Sequence, residues 1–356
     1  MAATLLTTIP SLCLSSQLPD PEWSSDSGGV LVALYDTSED YPFLHVTLRP
    51  HGGRVRLWEV REAVEHHMRA NDVSMVDLEV QIAESGDGAM TTSATVRVVY
   101  CDKDVSGEAT VWLDTHFLCT LDWKPLPPEG AAETLYFCER AAGTDVTPAI
   151  NVAYRGADGA VQHLTIAASE PLTADGAVQS VTFDMATVTA RVAAAVEGSF
   201  TILAVTVRVG GRAMQYYREV PEANAAFLFL NCFNVPEWAR LTCSMVTKTK
   251  DERKVGYVGR RRVLYNPSRE VEHEVQTAAL PQNRAEWIDQ LITSPGVWLA
   301  DGTHVVITEG ECAVSDDNGS LNSAKFTWLR SDGRGLLQVT ARALRIFTQA
   351  FTYQFT

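Results

Sequence analysis

The residues of this chain whose types and spacing could do chemistry fall into a few short clusters. His66 and His67 lie beside Glu62 and Glu65, a donor set that invites a metal reading. Two histidines that grip one zinc ion from a helix stand four residues apart with a glutamate beside the first, whereas neighbouring helical residues point about 100° apart. One ion would not use both. Glu270, Glu272, His273 and Glu274 have the composition of an acid/base cluster, yet a strand sends Glu272 and Glu274 to the face opposite His273. A glycan hydrolase built on paired carboxylates would also need a sugar-binding cleft, and no acid/base arrangement stands out for one. Asp316-Asp317-Asn318-Gly319-Ser320 is oxygen-rich like a calcium loop but lacks the EF-hand order of three spaced ligands, a glycine and a later glutamate. A polar hairpin turn explains it as well. The chain has no Gly-x-Ser-x-Gly elbow, Walker loop or dinucleotide fingerprint.

One charge anomaly remains. Between positions 248 and 262 seven basic residues, Lys248, Lys250, Arg253, Lys254, Arg260, Arg261 and Arg262, stand against only Asp251 and Glu252. In a chain of formal net charge -15, such a segment is suited to docking on an acidic patch of another copy or another protein. It reads equally as two exposed strands whose Lys and Arg discourage edge pairing. Trp58, Trp238, Trp287, Trp298 and Trp328 have the surface for stacking on sugars, but their apolar neighbours favour use in the core.

The elements that must position these residues are mostly strands. Two-residue turn signals recur between stretches of alternating polarity: Gly210-Gly211, Asp301-Gly302, Asp158-Gly159, Asp175-Gly176, Asn318-Gly319 and Asp332-Gly333. Such dipeptides suit the positive φ values of tight hairpins. Val76, Leu78, Val80 and Ile82 alternate, as do Ala94, Val96, Val98 and Tyr100, with a turn at 85–88 between them, and the two runs predict a hairpin. Strands are also predicted near 162–167, 181–185, 188–192 and 227–230, over the alternating run from Val271 to Ala279, and around Leu336 and Phe351 at the end. Leu57, Val60, Val64 and Met68 fall at spacings of three and four, which predicts an amphipathic helix inserted in the first β domain. A second helix is predicted over 282–294, ended by Ser294-Pro295-Gly296.

The fold class expected is therefore mainly β: a multi-domain β-sandwich protein with a few short inserted helices. Residues 1–29 form an N-terminal arm and linker, either mobile or a first edge strand. Residues 30–124 make a sandwich-like domain with one helix. The proline cluster Pro125, Pro127 and Pro128 opposes helix and central strand and marks a linker. Residues 131–220 make a second sandwich-like domain, and residues 226–356 a C-terminal β domain with one helix.

Composition narrows the classes further. With 46% hydrophobic and 21% charged residues over 356 positions, the chain can bury more than one core. Its acidity argues against general binding to nucleic acid, which rests on Lys and Arg neutralising phosphate. No apolar run approaches the roughly 20 residues of a membrane span, and the N-terminus lacks basic residues ahead of its apolar patches, unlike a secretory signal. Seven scattered cysteines without zinc-type spacing read as buried free thiols made in a reducing cytoplasm. No cofactor is expected.

Three runs of the C-terminal third carry a resemblance: Phe229-Leu230-Asn231-Cys232-Phe233-Asn234-Val235-Pro236-Glu237, the stretch from Tyr265 to Val275, and Trp287 to Pro295 followed by Val297-Trp298-Leu299. Together with the turn, strand and helix between Gly52 and Asn71, they resemble tail-associated structural proteins, of the tail-tip, baseplate or distal-tail kind, from phages and prophages of Bacteroidetes. The resemblance covers about half of the chain and rests on packing residues. It implies a non-enzymatic virion component, made in the host cytoplasm, that joins other phage tail proteins and forms a homo-oligomer or ring, with no catalytic residue to carry over. The middle block matches least, which leaves a spacer or receptor-binding role open there. The rival expectation is a carbohydrate-binding or adhesive module that recognises host-surface glycans.

Overall fold

The computed structural model of the chain describes residues 3–84, 89–138, 145–167, 172–173, 177–314 and 322–331. The expected turns at 85–88, Asp175-Gly176, Asn318-Gly319 and Asp332-Gly333, the calcium-like run from Asp316, and the two closing strands around Leu336 and Phe351 lie outside the described residues. The protein is mainly β, with several sheets and, among the described residues, four short α-helices. It divides into two compact units, residues 1–242 and 243–356.

The first unit contains a five-stranded sheet in the order Leu12–Leu14, Thr91–Val99, Met75–Glu84, Val30–Asp36, Leu44–Leu48. The predicted hairpin is its centre, with Val76 opposite Val98, Leu78 opposite Val96 and Val80 opposite Ala94. Leu12–Leu14 runs parallel to Thr91–Val99 at the sheet edge. The predicted helix is α1, Val60–Ala70. Its stripe of Val60, Val64 and Met68 is buried in one core with Trp23, Val32, Leu34, Leu78, Val80 and Val98, as the spacing of three and four requires.

Further along this unit a second five-stranded sheet runs Val161–Ala167, Ala149–Arg155, Thr201–Val209, Arg212–Tyr217, Trp123–Pro125. Its turns fall at Asp158-Gly159 and Gly210-Gly211, with Gly159 at φ 81° and Gly210 at φ 57°. A separate pair, Ala132–Cys138 with Val178–Asp184, is antiparallel, and so is Ala225–Leu230 with Pro236–Leu241. Two helices go beyond the expectation: α2, Ala109–Thr115, and α3, Met185–Ala195. The second replaces the strand expected at 188–192. Val188 and Val192 lie four apart, a spacing shared by both periodicities, and the alanine-rich surroundings favour helix. Asp184 decides it by accepting hydrogen bonds from the Ala186 and Thr187 backbone N–H groups, each at 3.1 Å.

The second unit is an antiparallel sheet in the order Val297–Leu299, His304–Ala313, Ser323–Arg330, Arg261–Thr277, Cys243–Val258. The expected helix is α4, Gln282–Thr293, which buries Ala285, Trp287, Ile288 and Leu291. It approaches the strand His304–Ala313 so closely that a Cβ on Gly310 would lie 2.2 Å from Ile292 Cγ2. Only glycine fits there. None of the seven cysteines is in a disulfide; six are buried and Cys312 is half-buried, and no helix among the described residues is long and apolar enough to cross a membrane.

Candidate assembly interface

The basic segment singled out in the sequence lies on the longest hairpin among the described residues, Cys243–Val258 paired with Arg261–Thr277. The turn is Gly259-Arg260, with Gly259 at φ 62°, the positive value that a two-residue hairpin loop demands. The base of the hairpin belongs to the core. Val275 is fully buried, Cys243 and Thr277 nearly so, and Thr277 Oγ1 accepts from the Ala324 backbone N–H at 2.9 Å. Within the hairpin, the described pairing of the strand Ser323–Arg330 is with His273 to Gln276. Outward from His273, about ten residues of each strand, roughly 30 Å at 3.3 Å per residue, form a two-stranded ribbon among the described residues.

Lys248 and Lys250 cross the ribbon to Glu274 and Glu272, and Lys325 reaches Glu274 as well, at 3.0 Å. Hydrogen bonds from Lys248 and Lys325 hold the Glu274 carboxyl below its ordinary range. These two lysines are thus matched within the hairpin. His273 takes the opposite face, as strand geometry requires, stacking on Trp328 with ring centroids 3.9 Å apart. Burial there, with a smaller contribution from the Arg330 charge, lowers its pKa.

The tip has a different character. Tyr257 is 67% exposed and Val258 71%, and they stand opposite Arg262 and Arg261. Arg262 Nε donates to the Tyr257 hydroxyl at 2.9 Å, so a guanidinium and a phenol are presented as one unit. Val255 and Val263 are exposed too. Arg253 and Lys254 belong to the outgoing strand, and their side chains lie outside the described ones. From position 253 to 263 the sequence holds five cations and no acid. Of the seven predicted interface residues, the structure therefore gathers Arg260, Arg261 and Arg262 at the tip beside exposed apolar groups and assigns Lys248 and Lys250 to internal ion pairs.

The other sequence clusters are taken apart by the fold. His67 is buried, stacked on Phe43 at 4.2 Å with Nε2 3.4 Å from Asp36 Oδ2, while His66 is exposed. Among the described residues no three His, Cys, Asp or Glu side chains converge as a metal-binding group. Trp287 and Trp328 are buried in the core, whereas Trp238 and Trp298 are only half-buried. Trp58 departs from the core expectation at 64% exposed. Val55 and Leu57 turn inward, so Arg56 and Trp58 turn outward, and the Arg56 guanidinium covers the indole at 3.9 Å.

Sequence reasoning missed a buried ionic network in the first unit. Lys124, which directly precedes the proline cluster that marks the expected linker, is 2% exposed. Its ammonium lies 2.9 Å from Glu237 Oε1 and 3.2 Å from Glu133 Oε1, and Arg240 pairs with the other oxygen of Glu133. Asn231 Nδ2 donates to Glu237 Oε2 at 2.5 Å, and the Cys119 thiol donates to Oε1 at 2.9 Å. Burial works against the charge on Lys124, but Glu237, followed by Cys119 and Glu133, reverses this and raises the lysine pKa. Two cations and two carboxylates balance, which lets four ionisable side chains enter the core. The local signal was a glutamate, Glu133, within the largely apolar strand Ala132–Cys138.

No protein-family model and no curated protein sequence matches this chain. Among solved structures, the full extracellular region of plexin A4 is similar over 92% of this chain and 39% of that one, at 11% identity and a TM-score of 0.21. The chain thus spans about two fifths of that protein's length.

Proposed function

We propose that the chain is a non-enzymatic structural subunit of a phage tail tip or baseplate, working through its interfaces with other tail proteins and with copies of itself. The observation that supports this reading is the ribbon of the second unit. A two-stranded hairpin is at best marginally stable alone in water, and this one carries exposed Val255, Tyr257, Val258 and Val263. Contact with another protein would cover that surface and fix the ribbon. The resemblance of the packing residues around 229–237 and 287–299 to tail-associated proteins supplies the biological setting.

The test is the mass of the full chain in solution, alone and with the products of neighbouring genes. A discrete ring or a stable heteromeric complex is the expected result. A chain that stays monomeric at high concentration and ignores those partners would overturn the reading.

The second reading is a module that binds host-surface glycans, for which exposed Trp58 under Arg56 offers a stacking face. Glycan-array binding lost in Trp58→Ala would favour it over the first.

A further inference from the structure

The first unit carries a groove of about 330 Å³. Its lining includes Pro125, Pro127, Met185 and Ile202, all buried, which form an apolar floor. Glu129 and Glu222 line it as well and are exposed, so acidic groups stand at its rim. Arg218, also in the lining, is bound to Glu222 at 3.1 Å, and Glu219 adds a further carboxylate.

We infer that this groove receives the hairpin tip of a second copy of the chain, an inference that rests on the assembly reading above. Charge selects the occupant. At a net charge of -15, two copies repel over most of their surface. The stretch from 253 to 263, with five cations and no acid, is the segment best able to approach another copy. Its chemistry complements the groove in both respects. Inserted end-on, Tyr257 and Val258, which project from the two faces of the tip, offer exposed apolar surface to the proline-lined groove, and Arg260 and Arg261 offer guanidinium groups to Glu129 and Glu222. Arginine suits this task because its planar fork can bind a carboxylate with two parallel hydrogen bonds.

Tip and groove are different patches, so the contact is heterologous. Each copy gives a tip and accepts one, and repetition produces a ring if the rotation closes or a filament if it does not. The charged rim makes the association salt-sensitive, because exposed pairs are screened over about 8 Å at physiological ionic strength.

The experiment uses the full chain and two variants. In the tip variant Tyr257→Asp and Arg261→Glu are combined; in the groove variant Glu129→Lys and Glu222→Lys are combined. Each should keep the wild-type circular dichroism and melting temperature and lose self-association by roughly tenfold or more. An equimolar mixture retains one intact tip and one intact groove, so native mass spectrometry should find heterodimers, whereas either variant alone stays monomeric. Joining Arg261→Glu with Glu129→Lys and Glu222→Lys in one chain should recover part of the assembly.

Wild-type oligomers that survive both variants unchanged, or a mixture that forms no heterodimer, would overturn the inference and leave the assembly reading standing. A wild type that never associates with itself or its neighbours would overturn both. Capture of a neighbouring tail protein by the tip, lost in the tip variant while the groove variant behaves as wild type, would assign the tip to that partner and also overturn the inference.

Discussion

Lys–Glu pairs occur in both units, and their surroundings give them opposite roles. In the first unit Lys124, Glu133, Glu237 and Arg240 are at most 5% exposed, and each carboxylate is bound by at least one cation. In the second, Lys248 and Lys250 cross an exposed ribbon with side chains 52% and 62% exposed. Buried charges cannot be left unpaired, so the first set fixes which segments must meet. Exposed pairs are solvated whether or not they meet, so the second set tunes solubility and edge protection and adds little stability.

The sharpest way to break this comparison is to remove one partner from each set. Glu133→Ala leaves Lys124 and Arg240 with an uncompensated buried charge and should cost about 3–5 kcal/mol, read as a lower urea midpoint for the first unit. Replacing Lys124 by Met together with Glu237 by Leu should cost less than either change alone, since an apolar pair can substitute for a buried ion pair. Strict additivity in that double-mutant cycle would contradict the network.

In the second unit packing should outweigh charge. Gly310→Ala drives a methyl group into Ile292 and should cost about 1–3 kcal/mol, visible as a lower melting temperature. A smaller effect follows from His273. Its folded pKa lies below the ordinary value because it is half-buried, stacked on Trp328, with a smaller contribution from the Arg330 charge. The neutral form is thus the one that the fold prefers. Its contribution is fully present above the unfolded pKa of about 6.5 and is lost as the pH falls through the folded value. His273→Gln should flatten the stability profile of the second unit below pH 6.5, and an unchanged slope would remove this role.

The smallest effects are the most discriminating. Lys248→Ala and Lys250→Ala should leave the denaturation midpoint unchanged within error. Tyr216→Phe should cause no loss, because the buried Tyr216 hydroxyl has no hydrogen-bond partner among the described residues; a marked loss would reveal a partner for it.

Much of this was legible from local pattern. The alternation of Val76 to Ile82 against Ala94 to Tyr100, the glycine turns at 159, 210 and 302, and the helical spacing from Val60 to Met68 all act over a few residues, where periodicity carries the information. The separation of His273 from Glu272 and Glu274 was equally local. Helix α3 was not, because Val188 and Val192 satisfy both periods and the deciding Asp184 cap lies outside the run. The buried network was illegible for a stronger reason. Nothing near Lys124 in sequence announces that Glu237, 113 positions later, will neutralise it, and the flanking prolines pointed to an exposed linker.

That distance also orders events during synthesis. While the ribosome has delivered only the sequence through the Gly210-Gly211 hairpin, Lys124 and Glu133 have emerged, but Glu237 and Arg240 have not. The nascent first unit then holds an incomplete set of charges at the place where its core must close, so closure waits for the strand Pro236–Leu241. A chain cut after residue 220 should therefore remain open and protease-sensitive, whereas one extended through residue 242 contains every charge the core requires.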